Sequence, residues 1–204
     1  MMLSKSELAI VLSKMKVFDE PELLKEQYAT DSEVAAELLW SAYMNGDVKD
    51  RIVADFGCGT GILGIGCLLL EAKKVFFVDS DSKAIDVLKE NLVFAGKKED
   101  AEIVNRDVNE FNRKADVVVQ NPPFGTKKRH ADRAFLEKAM KTADIIYSFH
   151  KPESLDFINR LSKEKGFAVT HVFRYSLPIK KAFSFHKKRV RQIGVACCRL
   201  EKTR

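Results

Sequence analysis

Apolar positions near the start of the chain recur at helical spacing. Leu8, Val11, Leu12 and Met15 line one face behind Ser4 and Ser6, either of which can cap a helix. A second helix is expected to open at Thr30-Asp31-Ser32-Glu33, which fits a capping box. It continues through Val34, Leu38, Leu39 and Ala42 to a stop at Asn45-Gly46. The period then changes. Short apolar runs at Ile52–Asp55, Val75–Asp79, Ile103–Asn105, Val117–Gln120, Ile145–Phe149 and Phe167–Phe173 read as buried strands. Helical stretches at Ile62–Glu71, Ser82–Ala95, Arg133–Ala143 and Glu153–Lys165 separate most of them. Gly96 and Gly166 stand where helix C-caps belong, and Pro152 at a helix start.

Such alternation predicts an α/β fold with a parallel sheet covered on both faces. The last two strands, around Phe167–Arg174 and Val190–Leu200, have no helix between them. They are expected to pair antiparallel, joined by the basic segment Ser176–Arg189. At 204 residues the chain suits one domain, 1–204, with a helical segment over 1–48 and the α/β core with its basic C-terminal hairpin over 49–204.

Composition adds limits. Hydrophobic residues make up 46% and charged residues 31%, a soluble globular balance without an apolar run that could span a bilayer. The first residues lack the apolar core of a secretion signal. Cys58, Cys67, Cys197 and Cys198 form no CxxC pair, so neither a metal site nor a disulfide framework is expected, and a cytoplasmic location follows. Net charge is +6, but from Arg174 onward ten Lys or Arg face a single acid, Glu201. A near-neutral body with a basic C-terminal face suits either a polyanionic partner or a solvated lysine-rich surface.

The segment Asp55-Phe56-Gly57-Cys58-Gly59-Thr60-Gly61 closes the first strand and opens a helix. Glycines there allow a tight turn and a close backbone approach to a ligand at the carboxyl end of the sheet. The spacing of Asp55, Gly57, Gly59 and Gly61 resembles the first motif of class I methyltransferases, which implies S-adenosylmethionine as cofactor. Residues 59–64 also match the dinucleotide fingerprint GxGxxG, so a dehydrogenase is the rival reading of the loop. Asp79, ending the second strand, can accept from both hydroxyls of a cofactor ribose, with Asp81 as a backup. Asp107, after the third strand, can accept from the cofactor's adenine amino group.

Asn121-Pro122-Pro123-Phe124 directly follows the apolar strand at Val117–Gln120 and is the strongest signal in the chain. An exocyclic amine on a base is a poor nucleophile because its lone pair is delocalised into the ring. Catalysis then requires acceptors for both N–H groups, and the Asn121 side-chain oxygen and Pro122 carbonyl can supply them. The prolines Pro122 and Pro123 stiffen the turn, and Phe124 can stack on the base. Transfer needs no nucleophilic side chain, since positioning and electrostatics dominate an in-line displacement. Neither this motif nor the basic tail is explained by a dehydrogenase.

Glu26-Gln27-Tyr28-Ala29-Thr30, DFGCGTG at 55–61, Asn121-Pro122-Pro123-Phe124-Gly125-Thr126-Lys127, Tyr147-Ser148-Phe149-His150-Lys151, Tyr175-Ser176-Leu177-Pro178 and Phe185-His186-Lys187-Lys188 stand in one order. Together they resemble the methyltransferase-like protein five family, small archaeal and eukaryotic enzymes that place N6-methyladenosine in small-subunit rRNA. The resemblance covers nearly the whole chain. It implies a Rossmann-like methyltransferase fold, a seven-stranded mostly parallel sheet with an antiparallel last strand. It also puts Gln27, Tyr28 and Thr30 beside the methionine end of S-adenosylmethionine, although Ala29 stands where a proline is common in that family. A small zinc-binding activator protein, of the kind that covers a sheet edge by strand addition, is a further implication.

Lys127, Lys128, Arg129, Lys187, Lys188 and Arg189 can neutralise RNA phosphates, and His186 can touch a phosphate or a base. Two other functions fit the same residues. One is a protein-glutamine methyltransferase, since that amide is also planar, though related enzymes carry Tyr where Phe124 stands. The other is an RNA-binding protein that keeps the fold without turnover.

Overall fold

Seven strands form one sheet in the order β3-β2-β1-β4-β5-β7-β6 in a computed structural model that describes residues 3–17, 30–123, 131–179 and 191–203. The strands are β1 (Ile52–Phe56), β2 (Lys74–Val78), β3 (Ala101–Val104), β4 (Val117–Gln120), β5 (Ile145–His150), β6 (Phe167–Ile179) and β7 (Arg191–Lys202). The first five pair in parallel, while β7 runs antiparallel to both β5 and β6. The expected seven-stranded sheet with its antiparallel last strand is therefore present. The final hairpin is longer than its apolar runs suggest, because β6 continues to Ile179 and β7 to Lys202. A bulge between Val169 and His171 sets Thr170 out of register.

Helices α1 (Lys5–Ser13), α2 (Ser32–Met44), α3 (Ile62–Leu69) and α4 (Ser82–Phe94) cover one face, and α5 (Ala131–Thr142) and α6 (Leu155–Glu164) the other. Alternation along the strands feeds both cores. Val119, Tyr147, Phe149 and Cys197 pack toward the α1–α4 side, and Val118, Ile146, Cys198 and Leu200 toward α5 and α6. Pro152 opens a single 3-10 turn, Pro152–Ser154, before α6.

The capping box lies on a different helix from the one expected. Ser4 and Glu7 form it at α1, each side chain bonding the other's backbone. At α2 the cap is Asp31, which accepts from Glu33 and Val34 N–H groups, and the Thr30 hydroxyl is engaged elsewhere. The basic face also loses a member. Arg199 is buried, and its guanidinium donates to Asp47 at 2.7 Å. The same Asp47 oxygen accepts from the Tyr147 hydroxyl at 2.6 Å, and Thr170 on the bulge accepts from Arg199 at 2.8 Å. A cation that sequence position places on the surface is thus a cross-link between β7 and the turn after α2.

Candidate active site

The carboxyl ends of β1, β2 and β4 meet at one place. Gly57, Gly59 and Gly61 all take positive φ, at 64°, 54° and 93°. A side chain on Gly61 would be strained and would come within 2.3 Å of Leu88 on α4, so this loop requires glycine. Gly57 and Cys58 N–H groups both donate to the Val78 carbonyl, tying the loop to the end of β2. Asn91, buried on α4, donates to the carbonyls of Thr60 and Lys16 and accepts from Lys16 N–H. One amide side chain therefore fixes the glycine loop to the segment leaving α1, a connection with no local signature in the chain.

Asp55 and Asp79 divide the work of holding this loop. Asp55 is 1% exposed and accepts from Gly64 N–H at 2.8 Å, in the first turn of α3, where a helix N-terminus favours an acceptor. Burial pushes its carboxyl up to about 7, with the charge of Asp79 adding to the rise and the Gly64 bond opposing it. Asp79 is half-buried at the mouth of the site. Its Oδ2 accepts from Gly59 N–H at 2.8 Å and its Oδ1 from Asp81 N–H at 2.9 Å. Each oxygen keeps acceptor capacity on its remaining lone pair. Burial raises this carboxyl as well. Asp81 caps α4 through Lys83 N–H. Asp107 is exposed beyond β3, and both Asn109 nitrogens donate to its Oδ1.

Phe56 and Gln120 are register partners on β1 and β4, so Gly57 and Asn121 leave the sheet side by side. The Asn121 amide nitrogen donates to the Thr30 hydroxyl at 3.0 Å. Its Oδ1 is buried without a partner among the described residues. Pro122 is buried and Pro123 half-buried. On the other face of the same edge, Gln120 donates to Ser148 at 2.8 Å. Nearby, His150 is 2% exposed, its Nε2 has no partner among the described residues, and desolvation lowers its imidazole to about 4.

The structure thus brings Thr30, Asp55, Gly57, Gly59, Gly61, Asp79 and Asn121 to one edge of the sheet. Gln27, Tyr28, Phe124, Lys127, Lys128, Arg129, His186, Lys187, Lys188 and Arg189 lie outside the described residues. Asn91, Gln120 and His150 are site neighbours that sequence reasoning missed. Each is a buried polar residue beside other polar positions in the chain, and its burial is visible only once the strand or helix face is known. Among the described residues, no group of three or more His, Cys, Asp or Glu could hold a metal ion.

Comparison with known proteins is consistent across the chain. A family model described as methyltransferase small domain matches residues 28–145. A protein of Methanocaldococcus jannaschii is 36% identical, over 98% of this chain and 95% of that one. The rRNA N(6)-adenosine-methyltransferase METTL5 of Danio rerio is 34% identical over 97% of this chain and 98% of its own length. Among solved structures, a candidate RNA methyltransferase from Pyrococcus horikoshii superposes with a TM-score of 0.90 at 47% identity, covering 100% of both chains.

Proposed function

The chain belongs to the methyltransferase small domain family, and within it to the methyltransferase-like protein five group; on that premise we propose that it methylates N6 of an adenine in small-subunit ribosomal RNA, with S-adenosylmethionine as donor. The whole span 1–204 serves as one catalytic domain in this reading. The observation that carries it is Asn121, whose amide is oriented by Thr30 so that a buried, unpartnered acceptor stands beside the glycine loop.

The loop suits the cofactor. Gly57, Gly59 and Gly61 leave room for its approach, Asp79 offers free lone pairs for ribose hydroxyls, and Asp107 accepts from its adenine amino group. When bound, S-adenosylmethionine supplies a sulfonium methyl for in-line displacement. The Asn121 oxygen accepts one N–H of the target amine and the Pro122 carbonyl the other. Together they turn the nitrogen lone pair out of conjugation and toward the methyl. Phe124 fixes the base plane by stacking. Gln27, Tyr28 and Thr30 border the methionine end. No residue need act as a nucleophile, and the product proton leaves to water.

Lys127, Lys128, Arg129, His186, Lys187, Lys188 and Arg189 bind the RNA backbone in this reading, giving salt-dependent affinity. A small zinc-binding activator is the expected protein partner, adding a strand to an outer strand of the sheet, β3 or β6. A cytoplasmic location goes with a ribosomal RNA substrate in this reading. No helix among the described residues is long and apolar enough to cross a membrane.

Transfer of labelled methyl to purified small-subunit rRNA, followed by nucleoside digestion and mass analysis, tests the reading. N6-methyladenosine is the expected product. Label on protein alone would replace it with the glutamine-methyltransferase reading. Absence of transfer in the presence of cell extract would leave an RNA-binding protein without turnover.

A further inference from the structure

Folded proteins pair nearly all of their buried polar atoms, so the exceptions mark places where a partner is missing. Four side-chain atoms are exceptions among the described residues: Gln120 Oε1, Asn121 Oδ1, His150 Nε2 and Tyr175 Oη. All four lie toward the carboxyl end of β4 and β5 and the stretch of β6 beside it. Strand alternation divides them. Gln120 and His150 point to the side covered by α5 and α6, whereas Asn121 bonds Thr30 at the start of α2, and Tyr175 packs against the core under α1–α4.

Tyr175 and Asn121 therefore share one face and one edge. In the sheet Tyr175 pairs with Val195 on β7, and Phe149 on β5 pairs with Cys197 two residues along. Three strand spacings of about 4.8 Å separate β4 from β6. Across the two spacings between β5 and β6, the Phe149 and Tyr175 rings approach to a centroid distance of 6.3 Å. Phe149 itself follows Ser148, the register partner of Gln120, and so stands next to Asn121 at the strand ends. The two rings pack in the core under α1–α4, where Phe149 is 1% exposed, and they link the neighbourhood of Asn121 to a buried phenol that has no partner among the described residues.

We propose that Tyr175 binds the methyl-acceptor nucleotide: with its amino group at Asn121 Oδ1, the nucleotide would offer its far edge or sugar to the Tyr175 hydroxyl on the same face and at the same end of the sheet. This rests on the RNA-methyltransferase reading above and adds a residue for substrate recognition to it. The phenol serves as a neutral donor, since burial, with lesser contributions from Cys197 and Glu37, raises its titration above the ordinary tyrosine range. The contact is with RNA and not with the cofactor, because β6 lies at the opposite end of the sheet from the β1–β2 loop.

Tyr175→Phe tests this with three measurements on the full chain: kcat/KM for small-subunit rRNA, S-adenosylmethionine affinity by calorimetry, and the melting temperature. The hydroxyl has no partner among the described residues, so removing it should leave the melting temperature unchanged or higher. Cofactor affinity should stay within twofold. The kcat/KM for RNA should fall about tenfold, the order expected for one lost hydrogen bond in a desolvated site. An unchanged kcat/KM would overturn the proposal. So would a fall accompanied by lower melting temperature and weaker cofactor binding, which would make Tyr175 a structural residue. Failure of the wild-type protein to methylate any RNA is a separate result; it would remove the functional reading and this inference with it.

Discussion

Asn121 donates its amide to the hydroxyl of Thr30, 91 positions earlier in the chain, at 3.0 Å. The bond joins the end of β4 to the start of α2. It also decides which atom of Asn121 faces the site. With the nitrogen engaged, the oxygen is left as an acceptor, the polarity that an exocyclic amine requires.

Thr30→Val keeps the shape and removes that partner. The expected result is a fall in kcat of about tenfold, from an amide no longer held in one orientation, at a cost of roughly 1–1.5 kcal/mol. Thr30→Ser should restore most of the rate. Single-turnover methyl transfer is the measurement, and a valine variant with full kcat would show that the bond does not orient Asn121.

Asn121 and Asp79 should fail in different ways. Asn121→Ala is expected to lower kcat by on the order of 100-fold or more, as loss of a preorganised polar contact does elsewhere. Its cofactor affinity should stay within a few fold. Asp79→Ala should weaken cofactor binding by about 1–3 kcal/mol, since ligand hydroxyls and Gly59 N–H lose their acceptor. Calorimetry with S-adenosylmethionine separates the two. Equal losses of affinity in both variants would mean that the two ligands are not divided between these residues as proposed.

Much of this site was legible beforehand because it is local. The glycine spacing, the Asp ending β2 and the Asn-Pro-Pro turn each lie within a few residues of a strand end, and apolar runs mark those ends. What stayed hidden is long-range. Thr30 reads as a helix cap in any four-residue window, and only the fold reveals that Asp31 caps α2 while Thr30 serves Asn121. Arg199 reads as one more surface cation because its partner, Asp47, is 152 positions away. Tyr175 reads only as part of a motif until the fold, with β7 between β5 and β6, brings its ring to that of Phe149.

Burial of Asp55 predicts an unusual pH dependence. Its carboxyl titrates at about 7 when folded, against about 3.9 in an unfolded chain. The folded state therefore holds the proton more tightly. The stability this group contributes is fully present below about pH 4 and is lost as pH rises through about 7, at roughly 1.4 kcal/mol per pH unit crossed. His150 runs the other way. Its folded value is about 4, so its contribution is present above about 6.5 and is lost as pH falls. The two offset each other in the wild type between about pH 4 and 6.5. Asp55→Asn keeps the acceptor for Gly64 and cannot ionise, so its melting temperature relative to wild type should be higher at pH 8 than at pH 5. A gap that does not change with pH would mean that Asp55 ionises normally.

Asp47 and Arg199 form a buried pair whose worth depends on how it is broken. Asp47→Ala leaves the guanidinium with Glu201 and Thr170 but without its main anion, and removes the acceptor of the Tyr147 hydroxyl. Breaking one side of such a pair costs about 3–5 kcal/mol, or roughly 10 °C in melting temperature for a chain of this size. Replacing the whole cluster is different, because an apolar substitute carries no desolvated charge. The combination Asp47→Leu, Arg199→Met and Tyr147→Phe should recover most of the loss, since buried ion pairs exchanged for packed apolar groups are often neutral or stabilising. Methyl transfer per folded molecule should be unaffected in both variants, as Tyr147 and Arg199 pair three register positions before His150 and Ala196, back from the carboxyl end of β5. Thermal melts of the single and triple variants decide the matter. A triple variant no more stable than Asp47→Ala would mean that the pair adds net stability beyond offsetting its own desolvation.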